Sequence, residues 1–378
     1  MSSAPHLYSG KVMDDNYIKK LTEESVMLLK EMIAIPSPSF SEDELCSYLS
    51  RWMSEKGIIH HRTGNNIVAE HIKHPGLPTL MLCAHIDTVA PCEGYSFDPY
   101  RPDYEKVPQD IVAGLGSNDD GASVVSMLAA YRYFTQQFIS DIPDTNLMLV
   151  LSCEEERSGI NGMSGLWEEL KDRVDYAIVG EPTGMKAATS ERGLLVIDAL
   201  AHGISGHAAR NEGINAIHKA IEDIERLKRH EFERVSPRMG RVNLNITQIN
   251  AGIAHNVIPD SCSFVVDIRP TEQYSNTEIL EELQGICTSE LKARNLSNRS
   301  SATMEGSVLA GIAERMGLQT FSSPTTSDWM RISCDAIKMG PGDSSRSHRK
   351  DEYVTVEEIR EGIVKYMKFI ELLFEGKL

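Results

Sequence analysis

TLMLCAHID, residues 79–87, decides the fold. Leu80 to Ala84 form an unbroken apolar run, too short for a confident helix and without the alternation of a half-exposed strand. That pattern suits a central strand of a parallel sheet covered on both faces. The run ends at His85. The same grammar recurs at LMLVLSC (147–153), which leads into Glu154 and Glu155, at DYAIVG (175–180), before Glu181, and less clearly at DAIKMG (335–340), upstream of His348. Helix-like segments such as 122–133 separate these runs, so the expected fold class is α/β, a mostly parallel sheet flanked by helices. Open sheets of this kind bind ligands beyond the carboxyl ends of their strands, which gathers four distant stretches of sequence at one rim.

Working outward, residues 15–35 read as a helix stopped by Pro36 and Pro38. Ser41 and Glu44 then suggest a capping box for a second helix ending near Gly57. Residues 189–298 read differently. Strand candidates GLLVIDALAHG, RVNLNITQIN and SCSFVVDIRP accompany helix candidates at 214–229 and 277–292, as in an inserted two-layer α+β domain. The expected division is 1–188 and 299–378 for the first domain and 189–298 for the insert, with a closing helix over 356–373. At 378 residues the chain is too long for a single core of usual size.

Composition narrows the function. Hydrophobic residues are 41% and charged residues 25% of the chain, ordinary for a folded protein, and no apolar stretch reaches the length needed to span a bilayer. The first residues, MSSAPHLYSGKVMDD, contain no basic run followed by an apolar core, so the cytoplasm is the expected compartment. A formal net charge of −17 argues against a nucleic-acid partner. Seven cysteines without any C-x-x-C pair argue against a disulfide framework and against a thiolate metal site.

The chemistry-bearing residues cluster at the strand ends. His85 and Asp87 lie two apart, so in extended chain they share a side and the carboxylate can orient the ring or assist catalysis. By itself such a pair is ordinary at a surface. In Gly114-Leu-Gly-Ser-Asn-Asp119-Asp120-Gly121 a dinucleotide-binding reading fails, because an acid stands where a pyrophosphate would sit. An acid there suits a cation, or caps the helix that follows. Glu154-Glu155-Glu156 directly after a buried strand repel one another unless one ligates a cation and another handles a proton, although a solvated acidic loop reads the same way. Glu181 precedes Pro182 in a fixed turn. Ser205 misses the serine-hydrolase elbow because His207 occupies the place of its last glycine. Histidines and carboxylates together, with no thiolate, suit a pair of zinc ions sharing one carboxylate.

In the order HID, GLGSNDDG, SCEEE, GEPT, GISGH, NVIPD and SHRKDE, spanning nearly the whole chain, these motifs resemble the co-catalytic zinc aminoacylases, acetylornithine deacetylases, succinyl-diaminopimelate desuccinylases and related carboxypeptidases. The resemblance implies a zinc aminopeptidase-like catalytic domain with an inserted dimerisation or lid domain, a homodimer, and two zinc ions per subunit for which cobalt can substitute. It implies His85 and Glu181 on one zinc, Glu155 and His348 on the other, and Asp119 bridging, with Asp120 as the alternative bridge. It further implies that Asp87 orients His85 and that Glu154 is the general base serving the attacking water and the leaving amine. His207 would stabilise the oxyanion, in the family reaching across a dimer. Asn256 and Arg269 would hold the substrate carboxylate. Cys153 stands where the family commonly has Asp, and a slip of one residue would hand the two glutamate roles to Glu155 and Glu156.

Within that family GEPT and PGDSSRSHRKDEYV look most like acetylornithine deacetylases, so N-acetylornithine, a small N-acyl amino acid of arginine biosynthesis, is the expected substrate. N-acetylcitrulline deacetylase, a desuccinylase and a dipeptidase are the alternatives. A desuccinylase needs a further cation for the second carboxylate, for which Arg192, Arg210 and Arg346 are candidates. A catalytically silent dimeric metal-binding protein is the reading from another class. A nucleotide-binding protein lacks both phosphate loop and basic cluster.

Overall fold

The computed structural model describes residues 15–137, 145–210 and 212–374. The chain divides into two units, one of residues up to Thr189, Thr303–Phe321 and from Ser327 onward, the other of Ser190–Ala302 and Ser322–Thr326.

The sheet of the first unit contains β1 (His60–Thr63), β2 (Asn66–His71), β3 (Thr79–His85), β4 (Asn146–Ser152), β5 (Tyr176–Val179), β6 (Ala187–Glu191) and β7 (Asp335–Lys338), in the order β1-β2-β4-β3-β5-β7-β6. Its middle, β4, β3, β5 and β7, is parallel, and the flanking pairings are antiparallel. The apolar runs therefore sit in the parallel middle, as expected. Successive side chains of β3 and β4 enter two different cores. Leu80, Leu82, Leu147 and Leu149 pack with the helices Asp15–Ile33, Asp43–Glu55, Ala122–Arg132 and Val356–Phe374, whereas Met81, Cys83, Met148 and Val150 pack with the helix Met163–Leu170 and Trp329. Burial on both faces explains why the sequence shows no alternation there.

Register then sets the site. His85 pairs opposite Ser152, so β4 ends level with β3, and Val179 pairs opposite Cys83, so β5 ends just short of it on the other side and Glu181 follows there. One expected local feature is absent. The second helix is not capped by Ser41; its N-cap is Glu42, in αR conformation and without a side-chain cap bond. The Glu42 carboxylate instead accepts the Phe40 N–H at 2.8 Å and the Glu154 N–H at 3.2 Å. Pairing with a buried strand end outcompetes the local cap.

In the second unit the strands Asn243–Ala251, Ser261–Arg269, Leu195–His202 and Glu290–Ala293 form an antiparallel sheet in that order. Leu195, Ile197, Ala199 and Ala201 alternate into a core shared with the helices Ala216–Arg229 and Asn276–Ile286, as a one-sided sheet requires. The second of these helices opens with a Ser275–Glu278 capping box. It stops at Ile286 and not at 292, because the Thr288 and Ser289 N–H groups donate to the buried Asp223 carboxylate at 3.0 and 2.7 Å. The chain is thereby released into the strand Glu290–Ala293, which pairs with Leu195–His202.

Candidate metal centre

His85 closes β3 and is 2% exposed. Its Nδ1 lies 2.9 Å from the Asp87 carbonyl oxygen, which can only accept, so Nδ1 carries the proton and Nε2 is left as the coordinating lone pair. Nε2 points at Asp119, 3.2 Å from Oδ1. Asp119 reaches this position from a loop turned at Gly116, whose φ of +79° favours glycine and where a Cβ would meet the Thr88 methyl at 2.7 Å. Asp120, the alternative bridge, is buried beside Ser123 and Gly180 and belongs to neither ligand grouping described next.

The Glu154–Glu156 segment is where the residues diverge from their expected roles. Glu154 has a φ of +58°, and the chain turns there. The Asp87 carboxylate accepts the next two N–H groups, from Glu155 at 3.0 Å and Glu156 at 3.1 Å, and the Ser39 hydroxyl at 2.7 Å. Both following side chains come to the rim. Potential ligand atoms of His85, Asp119 and Glu156 lie within 4.8 Å of one another, as do those of His85, Glu155 and Glu181. His348 Nε2 stands 3.0 Å from the Glu156 carboxylate and 3.8 Å from Asp119 Oδ2. Its expected carboxylate partner, Glu155, is not the one it meets. Glu154 faces elsewhere, accepting the Asn161 N–H at 3.1 Å and the Asn161 amide at 2.8 Å. Its carboxylate closes over Gly159, where a Cβ would fall 2.0 Å from Glu154 Oε2. The geometry therefore brings Glu155 and Glu156 to the cluster and leaves Glu154 out of it, the arrangement expected if the register slips by one residue.

Electrostatics follows from burial and crowding. Burial, then the neighbouring Glu181 and Glu156 charges, holds Glu155 well above the usual carboxylate range, and burial with Asp119 does the same to Glu181. Glu156 is raised chiefly by burial. His348 is pushed up to about 9, first by its bond to Glu156. Burial disfavours charge on His85, yet Asp119 and Asp87 hold its pKa well above the ordinary histidine value. Carboxylates that raise one another's pKa beside two imidazoles are a donor set completed by cations, and imidazole with oxygen donors fits divalent ions of the zinc type. The residues present fit two such ions.

Sequence reasoning missed the carboxylates behind this cluster. Glu352, 2% exposed, accepts the N–H groups of Asn118 and Asp119, and Asp328 accepts the Ser152 hydroxyl at 2.6 Å. Asp328 lies in none of the motifs, and Glu352, though it closes SHRKDE, was given no role by the resemblance.

The remaining predicted residues belong to the second unit. His207 lies in the two-residue strand Gly206–His207, paired with Val257–Ile258, and is exposed. Its Nδ1 accepts the Ala209 N–H at 3.2 Å, which leaves Nε2–H as a hydrogen-bond donor in the neutral ring. Asn256 is brought beside it, with its carbonyl accepting the Ala208 N–H at 3.1 Å. Arg269 is bound through Nε and Nη2 to Asp267 at 2.8 and 3.0 Å. Of the candidate cations for a second carboxylate, Arg192 donates to the carbonyls of Met239, Arg241 and Arg269, and Arg346 donates to Glu358.

Comparison with known proteins adds three findings. A family model described as a peptidase dimerisation domain matches residues 189–295, and one described as peptidase family M28 matches residues 66–194. Succinyl-diaminopimelate desuccinylase of Corynebacterium glutamicum is 27% identical over 360 residues, covering 90% of this chain and 94% of its own. Among solved structures, the aminopeptidase PepT from Bacillus cereus superposes with a TM-score of 0.75 at 17% identity, covering 93% of this chain and 98% of its own. The YXEP protein of Bacillus subtilis, a dinuclear metal-binding peptidase of the M20 family, superposes with a TM-score of 0.72 at 16% identity, covering 95% and 100%. Among the described residues no helix is long and apolar enough to cross a membrane.

Proposed function

We propose that this chain, which belongs to the M20 family of metal-dependent peptidases and amidohydrolases, hydrolyses the amide of a small N-acyl-L-amino acid. The observation that carries this reading is the pair of ligand groupings sharing His85, one completed by Asp119 and Glu156 and the other by Glu155 and Glu181. His85, Glu181 and Asp119 would hold one cation and Asp119, Glu156 and His348 the other; zinc is the metal proposed. Such a pair of ions, when bound, would supply polarisation of the scissile carbonyl and a water made nucleophilic near neutral pH. Glu156 is already engaged by His348, so Glu155 is the general base. It takes a proton from the attacking water and delivers it to the amine nitrogen as the carbon–nitrogen bond breaks, giving a carboxylic acid and a free amine. His207 donates its Nε2–H to the oxyanion, in the partner's site of a homodimer, and Asn256 with Arg269 binds the substrate carboxylate.

For the acyl group, the relative's name favours succinyl over acetyl, and succinyl-diaminopimelate leads the candidate substrates. N-acetylornithine is the second reading, favoured by the GEPT and PGDSSRSHRKDEYV segments. The test is kcat/KM of the zinc-loaded protein on N-succinyl-diaminopimelate, N-acetylornithine, N-acetylcitrulline and a dipeptide under one condition. Preference for a succinyl substrate is expected. Preference for an acetyl substrate reverses the order of the two readings, and no hydrolysis of any by a protein holding two zinc ions removes the enzymatic one.

A further inference from the structure

Glu352 has no part in proton transfer or in either ligand grouping, yet it is among the most enclosed acids of the first unit, at 2% exposure. Its Oε1 accepts two successive main-chain N–H groups, from Asn118 at 2.9 Å and Asp119 at 3.0 Å. Its own carbonyl accepts the Gly114 N–H at 2.9 Å. The residues that follow, Tyr353–Thr355, pair antiparallel with Ile111–Ala113. Glu352 thus grips both ends of the loop that presents Asp119.

The same segment presents His348, four residues upstream. That side is anchored as well, since Asp351 Oδ1 accepts the Ser96 N–H at 2.7 Å and hydroxyl at 3.0 Å, and the Tyr95 hydroxyl donates to the Arg349 carbonyl at 3.1 Å. Asn118 makes a second tie between the two loops. Its amide donates to the Asp343 carbonyl at 3.1 Å and to the Ser347 hydroxyl at 3.3 Å, and its Oδ1 accepts the Asp343 N–H at 2.8 Å. Asp119 and His348 are far apart in the sequence, and their loops are joined through Glu352 and Asn118.

We propose that Glu352 is a positioning residue that fixes Asp119 relative to His348, so that the ligands of the second cation are set in place by main-chain hydrogen bonds. A carboxylate beside Asp119 adds like charge, so what Glu352 contributes there is two directed acceptor contacts rather than charge compensation. An isosteric amide oxygen can make the same contacts, whereas a shorter acid cannot reach both.

The inference rests on Asp119 and His348 as ligands, and the experiment separates the two. Zinc affinity is measured by titration of the metal-free full chain, with kcat at limiting and at excess zinc, for wild type, Glu352→Gln, Glu352→Asp and Glu352→Ala. Wild type should bind two zinc ions and Glu352→Gln should stay close to it. Glu352→Asp and Glu352→Ala should lose about 10- to 100-fold in affinity for one of the two ions, the usual cost of removing an outer support of a ligand, with kcat recovering at excess zinc. Should Glu352→Ala fail to fold, the order of Gln and Asp still decides. Asp behaving like wild type while Gln fails would make charge the contribution and overturn the proposal, as would wild-type zinc affinity in all folded variants. A wild type that binds no zinc would overturn the ligand reading itself.

Discussion

The rim of the first unit and the His207 hairpin of the second hold their chemical groups in opposite ways. At the rim, acids buried beneath the cluster fix the main chain, as Asp87 accepts the N–H groups of Glu155 and Glu156 and Glu352 those of Asn118 and Asp119. On the hairpin His207 and Asn256 are exposed, and a local turn bond to the Ala209 N–H is what orients the imidazole. A group that coordinates a metal needs its position set to a fraction of an ångström, so it sits on a hydrogen-bonded scaffold. A group proposed to meet the substrate, such as His207, needs no such fixed scaffold and can be carried on an exposed hairpin.

The largest effects should come from the scaffolded side. Asp119→Ala removes the proposed bridge, and loss of bound metal together with a fall of activity to background is expected, read by metal analysis after dialysis. Asp120→Ala should retain the metal. Two ions retained in Asp119→Ala would move the bridge to Asp120 and undo the contrast.

Next, Glu155→Gln should leave metal content unchanged while kcat falls by about 10²- to 10⁴-fold, the range of a lost general base, because the amide cannot accept the proton. Near-normal turnover with both ions bound would return the base to another residue of the triplet.

On the hairpin side, His207→Ala should lower kcat by about 10²- to 10³-fold, as for a lost oxyanion donor, again without loss of metal. If His207 serves a partner's centre, mixing His207→Ala with Glu155→Gln subunits should restore activity through hybrid sites. No recovery, with subunit exchange demonstrated by a tagged copy, would confine His207 to its own chain.

Legibility in the sequence followed the same divide. TLMLCAH, LMLVLSC and DYAIVG announced the parallel middle of the sheet because strands buried on both faces are continuously apolar, and the strand and helix candidates of the insert announced a two-layer α+β unit. His85, Asp119, Glu181 and His348 were findable as polar residues near the ends of those runs or in the ordered motifs. The register of the glutamates was not. Ser152 and Cys153 are both buried, so hydrophobicity gives no mark for the strand's last residue, and the turn at Glu154 depends on N–H bonds donated to Glu42 and Asp87, distant in sequence. Glu42 and Asp328, and the role of Glu352 within SHRKDE, were invisible for a related reason. A buried acid is recognisable only when the N–H or hydroxyl groups it satisfies are brought to it by the fold.

The smallest expected effect falls on the residue whose role the geometry changes most. Glu154 is buried, but its carboxylate is occupied by the Asn161 N–H and side-chain amide, away from both ligand groupings. In Glu154→Gln the amide oxygen can keep one of these bonds, while its NH₂ faces a donor where an acceptor is required. The expected cost is one charge-assisted bond, about 1.5 to 3 kcal/mol of folding stability, with kcat and metal content near wild type. Denaturant unfolding beside steady-state kinetics reads both quantities from one preparation. Collapse of kcat in a stably folded Glu154→Gln with two ions bound would restore Glu154 as the base. It would also mean that the turn at Glu154 rearranges when the metal binds, since in the present geometry its carboxylate is bonded to Asn161 and belongs to neither ligand grouping.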